Sequence, residues 1–537
     1  GVSNYPSERM GLILWDHGSG SINGVCFDEQ YDYDSLTLGE LDHALNQVYD
    51  QMTDRFEFIG FDACLMSTLE TANVLTPYAR YMYASQEMEP GSGWDYTSLL
   101  NNLAANPDQD GAQLGEKVCR EYYDHCADYG FGSQRSATFS IIDLSKIDDV
   151  LISMNEAFRV VYEQGDLGDV TRAVLEADSF GGNSVSEGYS NMLDLGNMLD
   201  QLSGYGQEVR DASQTLQSCI LYTMNGRLHK NASGLSVYYP VSIQGSEELK
   251  IFSRICPSNY YYALIDKIAY GAENGSAADY DNSTLLSDMA DINEWLGEES
   301  GFTGDVSTNA GEFADIEIGQ MGVSDIYFDE DGIYTVSFDN MDELAYACCS
   351  VGMDDDADGF FYLGTTEEVI YDIDRNCVTD NFDGSWPCIN DNLLALELVN
   401  TTDSCSIYTC NVLLNDEVET NLRIEYDWEY DEWSVIGIWD GIDEETGMAS
   451  REVYELQDGD VITPAYYWFS VDDDEDWYYG DDIVVDGDLE ITYEYLPEGV
   501  YYYCFELHDI YGNVYYTPFT LQYVDEDGEV WVDGEFY

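Results

Sequence analysis

Two short stretches carry side chains able to do covalent chemistry. In GLILWDHGSG, residues 11–20, an apolar run ends on Asp16-His17-Gly18, and His17 is one of five histidines in 537 residues. In FEFIGFDACLMS, residues 56–67, a second apolar run ends on Asp62-Ala63-Cys64. A thiol beside an imidazole is a nucleophile with its base: the ring takes the proton and the thiolate attacks a carbonyl carbon. Singly, each residue has a plainer reading. A histidine at a strand end packs, a buried cysteine is inert, and Asp62 caps a helix that Cys64 begins. Placement decides between the readings. In an open α/β sheet, reactive groups collect at the carboxyl ends of strands. Two parallel strands joined by one helix would set His17 and Cys64 side by side. Gly18, lacking a Cβ, would let its N–H approach a substrate carbonyl and share an oxyanion hole with the Cys64 N–H. A cysteine that opens a helix also gains thiolate character from the positive helix terminus. Asp16 adjoins His17 in sequence, is poorly placed to orient that ring, and is given no triad role.

The elements that must hold this pair follow from periodicity. MGLILW, FEFIGF and YMYAS read as short buried strands. Between the first two, LGELDHALNQVYDQM is apolar at Leu38, Leu41, Leu45, Val48 and Met52, a helical spacing. ACLMSTLETANVL reads as a helix directly after the second strand, SATFSIIDLSKIDDVLISMNEAF repeats the pattern, and GLSVYYP adds a strand. This alternation predicts a parallel-rich α/β sheet flanked by helices over residues 1–275. The polar segment ENGSAADYDNSTLLSD marks a linker, assigned to 276–310. Over 311–537, runs such as GIYTVSF, NLRIEYDW and VYYYCFEL alternate with turn signals such as DEDG, QDGD and LPEG. That pattern predicts an acidic, aromatic-rich, all-β sandwich-like region.

WDHGSG, then FDACLMSTLETA, then ASQEMEPGSGWDY resemble the clostripain family of cysteine peptidases, with weaker matches at SIIDLSKI, YSNMLDLGNML and SGLSVYYP. The resemblance covers residues 1 to about 275. It implies a caspase-like α/β fold, a catalytic dyad of His17 and Cys64, and cleavage after Arg or Lys. It also gives Asp62 the floor of the S1 pocket, facing a P1 guanidinium or ammonium, with Asp95 a second candidate there. Two departures stand out. The family's further strand–helix unit before the histidine motif is absent here, so that portion is expected on a separate chain or in a longer precursor. Maturation cuts in the family fall after Lys or Arg between histidine and cysteine. From Gly18 to Ala63 the Lys/Arg content is Arg55 alone, so an uncut chain is expected over residues 18–54. Calcium is associated with the family, and Asp354, Asp356, Asp358 and Gly359 match the opening of a DxDxDG loop, with Thr365 where the bidentate glutamate belongs. Asp472, Asp474 and Asp476 repeat the acid spacing without the glycine. The dyad chemistry itself requires no cofactor.

Composition sets the partners. There are 107 acidic residues against 18 basic, a net charge of −89, which repels nucleic acid and anionic membranes and attracts cations and basic protein segments. Apolar content of 45% excludes wholesale disorder. No apolar run is long enough to span a bilayer. Beyond residue 280 the Lys and Arg residues are Arg375, Arg423 and Arg451, a scarcity that suits an acidic secreted protein or a protease kept poor in its own cleavage sites. The chain opens on Gly1 without Met, as expected of a processed piece. The 13 cysteines lack metal-site spacing, and Cys377/Cys388 and Cys405/Cys410 are candidate disulfides if the protein is secreted. The expectation is a secreted or cell-surface bacterial endopeptidase acting on protein substrates with basic P1 residues. Two rivals remain: a catalytically silent surface or binding protein, and a caspase-like peptidase with another P1 preference.

Overall fold

A computed structural model describes residues 7–274 and 321–537, except 32, 50, 53, 128–130, 244–245, 330–331, 356–358, 403, 444–445, 452, 471–474, 488, 512, 526–529 and 533. The expected linker, 276–310, lies outside the described residues.

The first half is built on a five-stranded sheet. Its strands are β1 (Gly11–Trp15), β2 (Phe56–Asp62), β3 (Ala79–Ala84), β4 (Thr138–Asp143) and β5 (Ile220–Asn225), adjacent in that order. Among its helices are α1 (Leu38–Tyr49), α2 (Leu69–Leu75), α3 (Tyr96–Ala105), α4 (Gly111–Cys126), α5 (Ile147–Gln164), α6 (Gln207–Cys219) and α7 (Asn259–Asn274). Side chains alternate across the strands. Ile59, Phe61, Met82 and Ile142 join one core with Leu41 and Leu45 of α1, Leu151 and Phe158 of α5, and Leu264 of α7. Phe58, Tyr83, Phe139 and Ile141 join another with Leu114, Val118 and Tyr122 of α4. The three-layer arrangement fits a caspase-like core.

The sheet expected to be parallel-rich is mixed, with two parallel and two antiparallel pairings. β1, β2 and β3 run parallel, but β4 is antiparallel to β3 and β5 to β4. GLSVYYP does supply a strand, Ser236–Tyr238. It belongs to a separate three-stranded sheet with Met192–Asp194. The helix after β2 starts later than its apolar pattern suggests: α2 begins at Leu69, where the Thr68 side chain accepts from the Thr71 N–H. Residues 63–67 form a turn, with Leu65 in the left-handed region at φ 64°.

The second described half is all β. Its longest strands are β6 (Leu344–Asp354), β7 (Gly359–Thr366), β8 (Cys405–Leu414), β9 (Val418–Asp427), β10 (Glu432–Trp439), β11 (Val461–Ser470) and β12 (Gly499–Asp509). β6 pairs antiparallel with β7 and β12, and β8, β9 and β10 form a meander. All 13 cysteines are unbonded, which corrects the expected disulfides. Cys405 and Cys410 lie at opposite ends of one stretch of β8, about 16 Å apart at strand rise, beyond the reach of a disulfide. Cys377 and Cys388 lie on strands of different sheets. Among the described residues no helix is long and apolar enough to cross a membrane.

The halves are docked by buried charge. Arg423 of β9 makes a two-pronged contact with Glu187, at 2.8 and 2.6 Å, and lies 4.1 Å over the Trp439 ring. Glu425, also on β9, receives Arg135 and Arg227 from the first half, and Arg227 also reaches Asp427.

Candidate active site

β1 and β2 bring the expected pair to one edge. Trp15 registers against Asp62, so His17 and Cys64 each follow by two residues on neighbouring parallel strands. The chains then converge: a Cβ on Gly18 would lie 2.4 Å from the Cys64 carbonyl oxygen and 3.2 Å from its nitrogen. Only glycine permits that approach, which holds the Gly18 and Cys64 main chains against each other.

Cys64 occupies the turn after β2. Sequence reasoning placed it at a helix N-terminus, and with α2 starting at Leu69 that source of thiolate stabilisation is not available to it. Its Sγ accepts from the Glu89 N–H at 3.3 Å and lies 3.7 Å from the Glu89 carbonyl. Cys64 is fully buried, and burial pushes its thiol up to about 12, against the opposing pull of the Arg451 charge. His17 is half-buried, with its Nδ1 2.9 Å from the carbonyl of Ala449, a residue from the distant C-terminal half. Its Nε2 is the ring's other nitrogen.

Asp62 is wholly buried and is not a helix cap. Its Oδ2 accepts from the Trp94 N–H at 3.0 Å and the Tyr96 hydroxyl at 2.8 Å. Its Oδ1 lies 2.5 Å from Nη2 of Arg451. Gly93, at φ 65°, closes over the carboxylate, and a Cβ there would sit 2.4 Å from Asp62 Oδ2. Asp95 takes a different post. Its side chain accepts from the Ser98 N–H as the N-cap of α3, and that bond holds its carboxyl below the ordinary range. The GWDY motif thus contributes through Trp94 and Tyr96 on either side of Asp95.

Glu89 and Arg451 escaped sequence reasoning. Glu89 is fully buried, and burial together with the nearby Asp62 charge raises its carboxyl well above the usual range. Its Oε2 accepts from Trp94 Nε1 at 3.0 Å. Of the two close carboxyls, Asp62 is the one that faces the Arg451 guanidinium. Arg451 donates through Nη1 to the Asp16 carbonyl at 3.1 Å, and its side chain is 6% exposed. The signal for it was the scarcity of arginine beyond residue 280. Two of the three, Arg423 and Arg451, are buried on acids of the first half.

Of the calcium candidates, Asp356 and Asp358 lie outside the described residues, as do Asp472 and Asp474. Asp354 ends β6, and the adjacent Asp355 spends its carboxylate on the Gly359 N–H and on Trp468 Nε1. The loop is thereby tied at its base by protein donors. Among the described residues, Cys348, Glu506 and His508 form one group with metal-ligating atoms close together. That donor set is softer than calcium favours, and Glu506 already accepts from Ser350 and bonds His508. A cavity of about 570 Å³ at the junction of the halves is lined by Arg135, Arg227, Asp427 and Trp433, and by none of His17, Asp62 or Cys64.

Comparison with known proteins agrees with the motifs. The family model for the clostripain family matches residues 2–274. A secreted C11 cysteine protease of Bacteroides thetaiotaomicron, solved with an irreversible peptide inhibitor, is 19% identical. The match covers 49% of this chain and 74% of that one, with a TM-score of 0.36. An inactive zymogen C11 protease from Parabacteroides distasonis is 17% identical, over 44% of this chain and 66% of that one, at a TM-score of 0.33. A clostripain from Bacteroides thetaiotaomicron bound to a peptide inhibitor is 17% identical, over 45% and 98%, at 0.34. No curated protein matches the chain. The family match spans the WDHGSG and FDACLMS motifs and half of the sequence, and on that ground the chain belongs to the clostripain family of cysteine peptidases.

Proposed function

We propose that the protein is a secreted or cell-surface bacterial endopeptidase that cuts after Arg or Lys through a Cys64–His17 dyad. His17 takes the Cys64 proton, and the thiolate adds to the carbonyl carbon of the P1 residue. The Gly18 and Cys64 N–H groups meet the developing oxyanion. His17 then gives its proton to the departing amine, and water, deprotonated by the same ring, hydrolyses the thioester. Asp62 binds the P1 cation. No step needs a metal or cofactor.

The observation that carries this reading is the Asp62–Arg451 contact. The carboxylate assigned to a P1 guanidinium already holds one, 2.5 Å away and out of water. Trp94 and Tyr96 satisfy its other oxygen, so the carboxylate is held in place with one oxygen turned to the cation. The test is a panel of fluorogenic peptides with Arg, Lys, Asn or Asp at P1, run on wild type and on an Arg451→Ala chain. Turnover confined to Arg and Lys is expected. Asp62→Asn in the Arg451→Ala background is expected to lower kcat/KM for those substrates by about 100-fold or more. A preference for Asn or Asp, or an unchanged Arg/Lys preference without Asp62, refutes the assignment. The silent-protein reading draws on the buried thiol. It predicts that a folded Arg451→Ala chain is never labelled at Cys64 by an Arg chloromethyl ketone.

A further inference from the structure

Residues 440–443 and 446–451 leave the end of β10 and pack against the ends of β1 and β2. The chain turns at Gly441, whose φ is 85°, and Ile442 bridges back to Ala449. It rejoins the β region at Val453–Tyr454, which pairs with Ile438 and Trp439. The excursion is fastened to the first half along its length. The Ile442 N–H donates to the Glu187 carbonyl at 2.7 Å, and Asn23 Nδ2 donates to the Gly447 carbonyl at 3.4 Å. His17 Nδ1 bonds the Ala449 carbonyl. Ile442 and Ala449 are buried in one apolar cluster with Cys64, Leu65 and Trp439, and Val453 packs against it. Residues on both sides of Arg451 therefore share a core with the nucleophile.

We propose that this loop is a resident inhibitor of the peptidase site, with Arg451 acting as an internal P1 residue that must leave Asp62 before any substrate can bind. The inference rests on the peptidase reading above and goes beyond it by giving the C-terminal β region a regulatory role. Three facts meet in it. The P1-binding acid is occupied by an arginine of the same chain, and the catalytic imidazole is engaged by a main-chain carbonyl two residues earlier. The thiol is sealed from water beneath the same loop. An ordinary surface contact explains none of these together. A substrate-like segment does, because a peptide in the cleft offers a cation to Asp62 and carbonyls to the dyad's neighbourhood. The loop also has its own support: Trp439 Nε1 donates to the Ser450 carbonyl at 2.9 Å, next to Arg451. That bond pins the segment to β10, so occupancy is intramolecular and held at high effective concentration.

The test measures the rate at which a fluorescent Arg chloromethyl ketone labels Cys64 in the full chain. Wild type is expected to label slowly. Arg451→Ala removes the internal cation and is expected to label on the order of 100-fold faster, within the range that truncating one partner of a buried charge pair costs. Gly447→Val supplies a second route that leaves Arg451 intact. Gly447 has φ 68°, and a Cβ there would lie 2.6 Å from Asn23 Nδ2, so a side chain unseats the loop away from Asp62 and Cys64. It too is expected to label faster. The peptide acetyl-Met-Ala-Ser-Arg-amide, copying residues 448–451, should slow labelling of the Arg451→Ala chain competitively, and its Arg→Ala version should not. Wild type labelled as fast as both variants would overturn the inhibitor and leave the peptidase reading intact. Three folded proteins, judged by cooperative melting, with no labelling in any would overturn the peptidase reading itself.

Discussion

At the scale of single residues, the site depends on a close approach that one methyl group would spoil. Gly18 faces the Cys64 main chain with no room for a side chain. Gly18→Ala is expected to push β1's terminal turn off Cys64 and, in the Arg451→Ala background, to lower kcat by about 100-fold, the usual cost of misplacing reacting groups by an ångström. KM for an Arg substrate should hardly move, because Asp62 and its partners stay in place. An equal rise in KM would mean that Gly18 shapes binding and not the oxyanion hole. Glu89 makes a related point. Burial and the Asp62 charge push its carboxyl well above the usual range, a coupling between two acids that their sequence positions do not disclose.

At the scale of elements, the strand ends near the cleft are joined to the β region by buried ionic clusters. His229, fully buried, bonds Asp178 and lies 3.2 Å from Glu87, while Asn400 of the C-terminal half also donates to Asp178. Burial disfavours the His229 charge, but the charges and hydrogen bonds of Asp178 and Glu87 raise it well above 6.5. Glu87 is likewise opposed by burial, yet the His229 hydrogen bond holds its carboxyl below the ordinary 4.5. The signs follow by linkage. The raised His229 contributes stability that is full below 6.5 and is lost as pH climbs through its higher folded value. The lowered Glu87 contributes stability that is full above 4.5 and is lost as pH falls through its folded value. A melting series for wild type and His229→Gln checks this. The variant should be less stable at neutral pH by about 3 kcal/mol, the cost of breaking a buried pair, and its alkaline limb should be flatter. Parallel alkaline limbs would remove His229 from the account.

At the scale of the whole molecule, a net charge of −89 on 537 residues makes self-repulsion a standing cost to the compact state. We propose that divalent cations relieve it, with the Asp354, Asp356 and Asp358 spacing as the candidate site. EDTA is expected to lower Tm relative to calcium-containing buffer, by about 2–4 °C per kcal/mol of binding lost. The triple Asp→Asn change at those positions should abolish the chelator effect. A melting curve indifferent to EDTA would argue against a bound ion, and an effect that survives the triple change would argue against this loop. The same acidity explains how arginine is used here. With so few basic residues in the second half, burying Arg423 and Arg451 on acids of the first half makes them specific fasteners.

Much of this was legible in the chain itself. Apolar periodicity located β1, β2, β3 and α1, and the residues ending β1 and β2 named His17, Cys64, Gly18 and Asp62, because strand ends in such sheets are where chemistry gathers. Local pattern misjudged the start of α2, since the apolar run through Leu65 and Met66 packs as a turn and not as a helix. It also missed the reversal of β4, because an antiparallel neighbour and a parallel one carry the same alternation. What lies furthest from sequence is the occupant of Asp62. Asp62 and Arg451 are far apart in the chain, and nothing in either stretch announces the other. The sequence determines an acid two residues before a cysteine at a strand end. Only the folded chain, by carrying a loop from β10 into the cleft, decides which cation that acid holds.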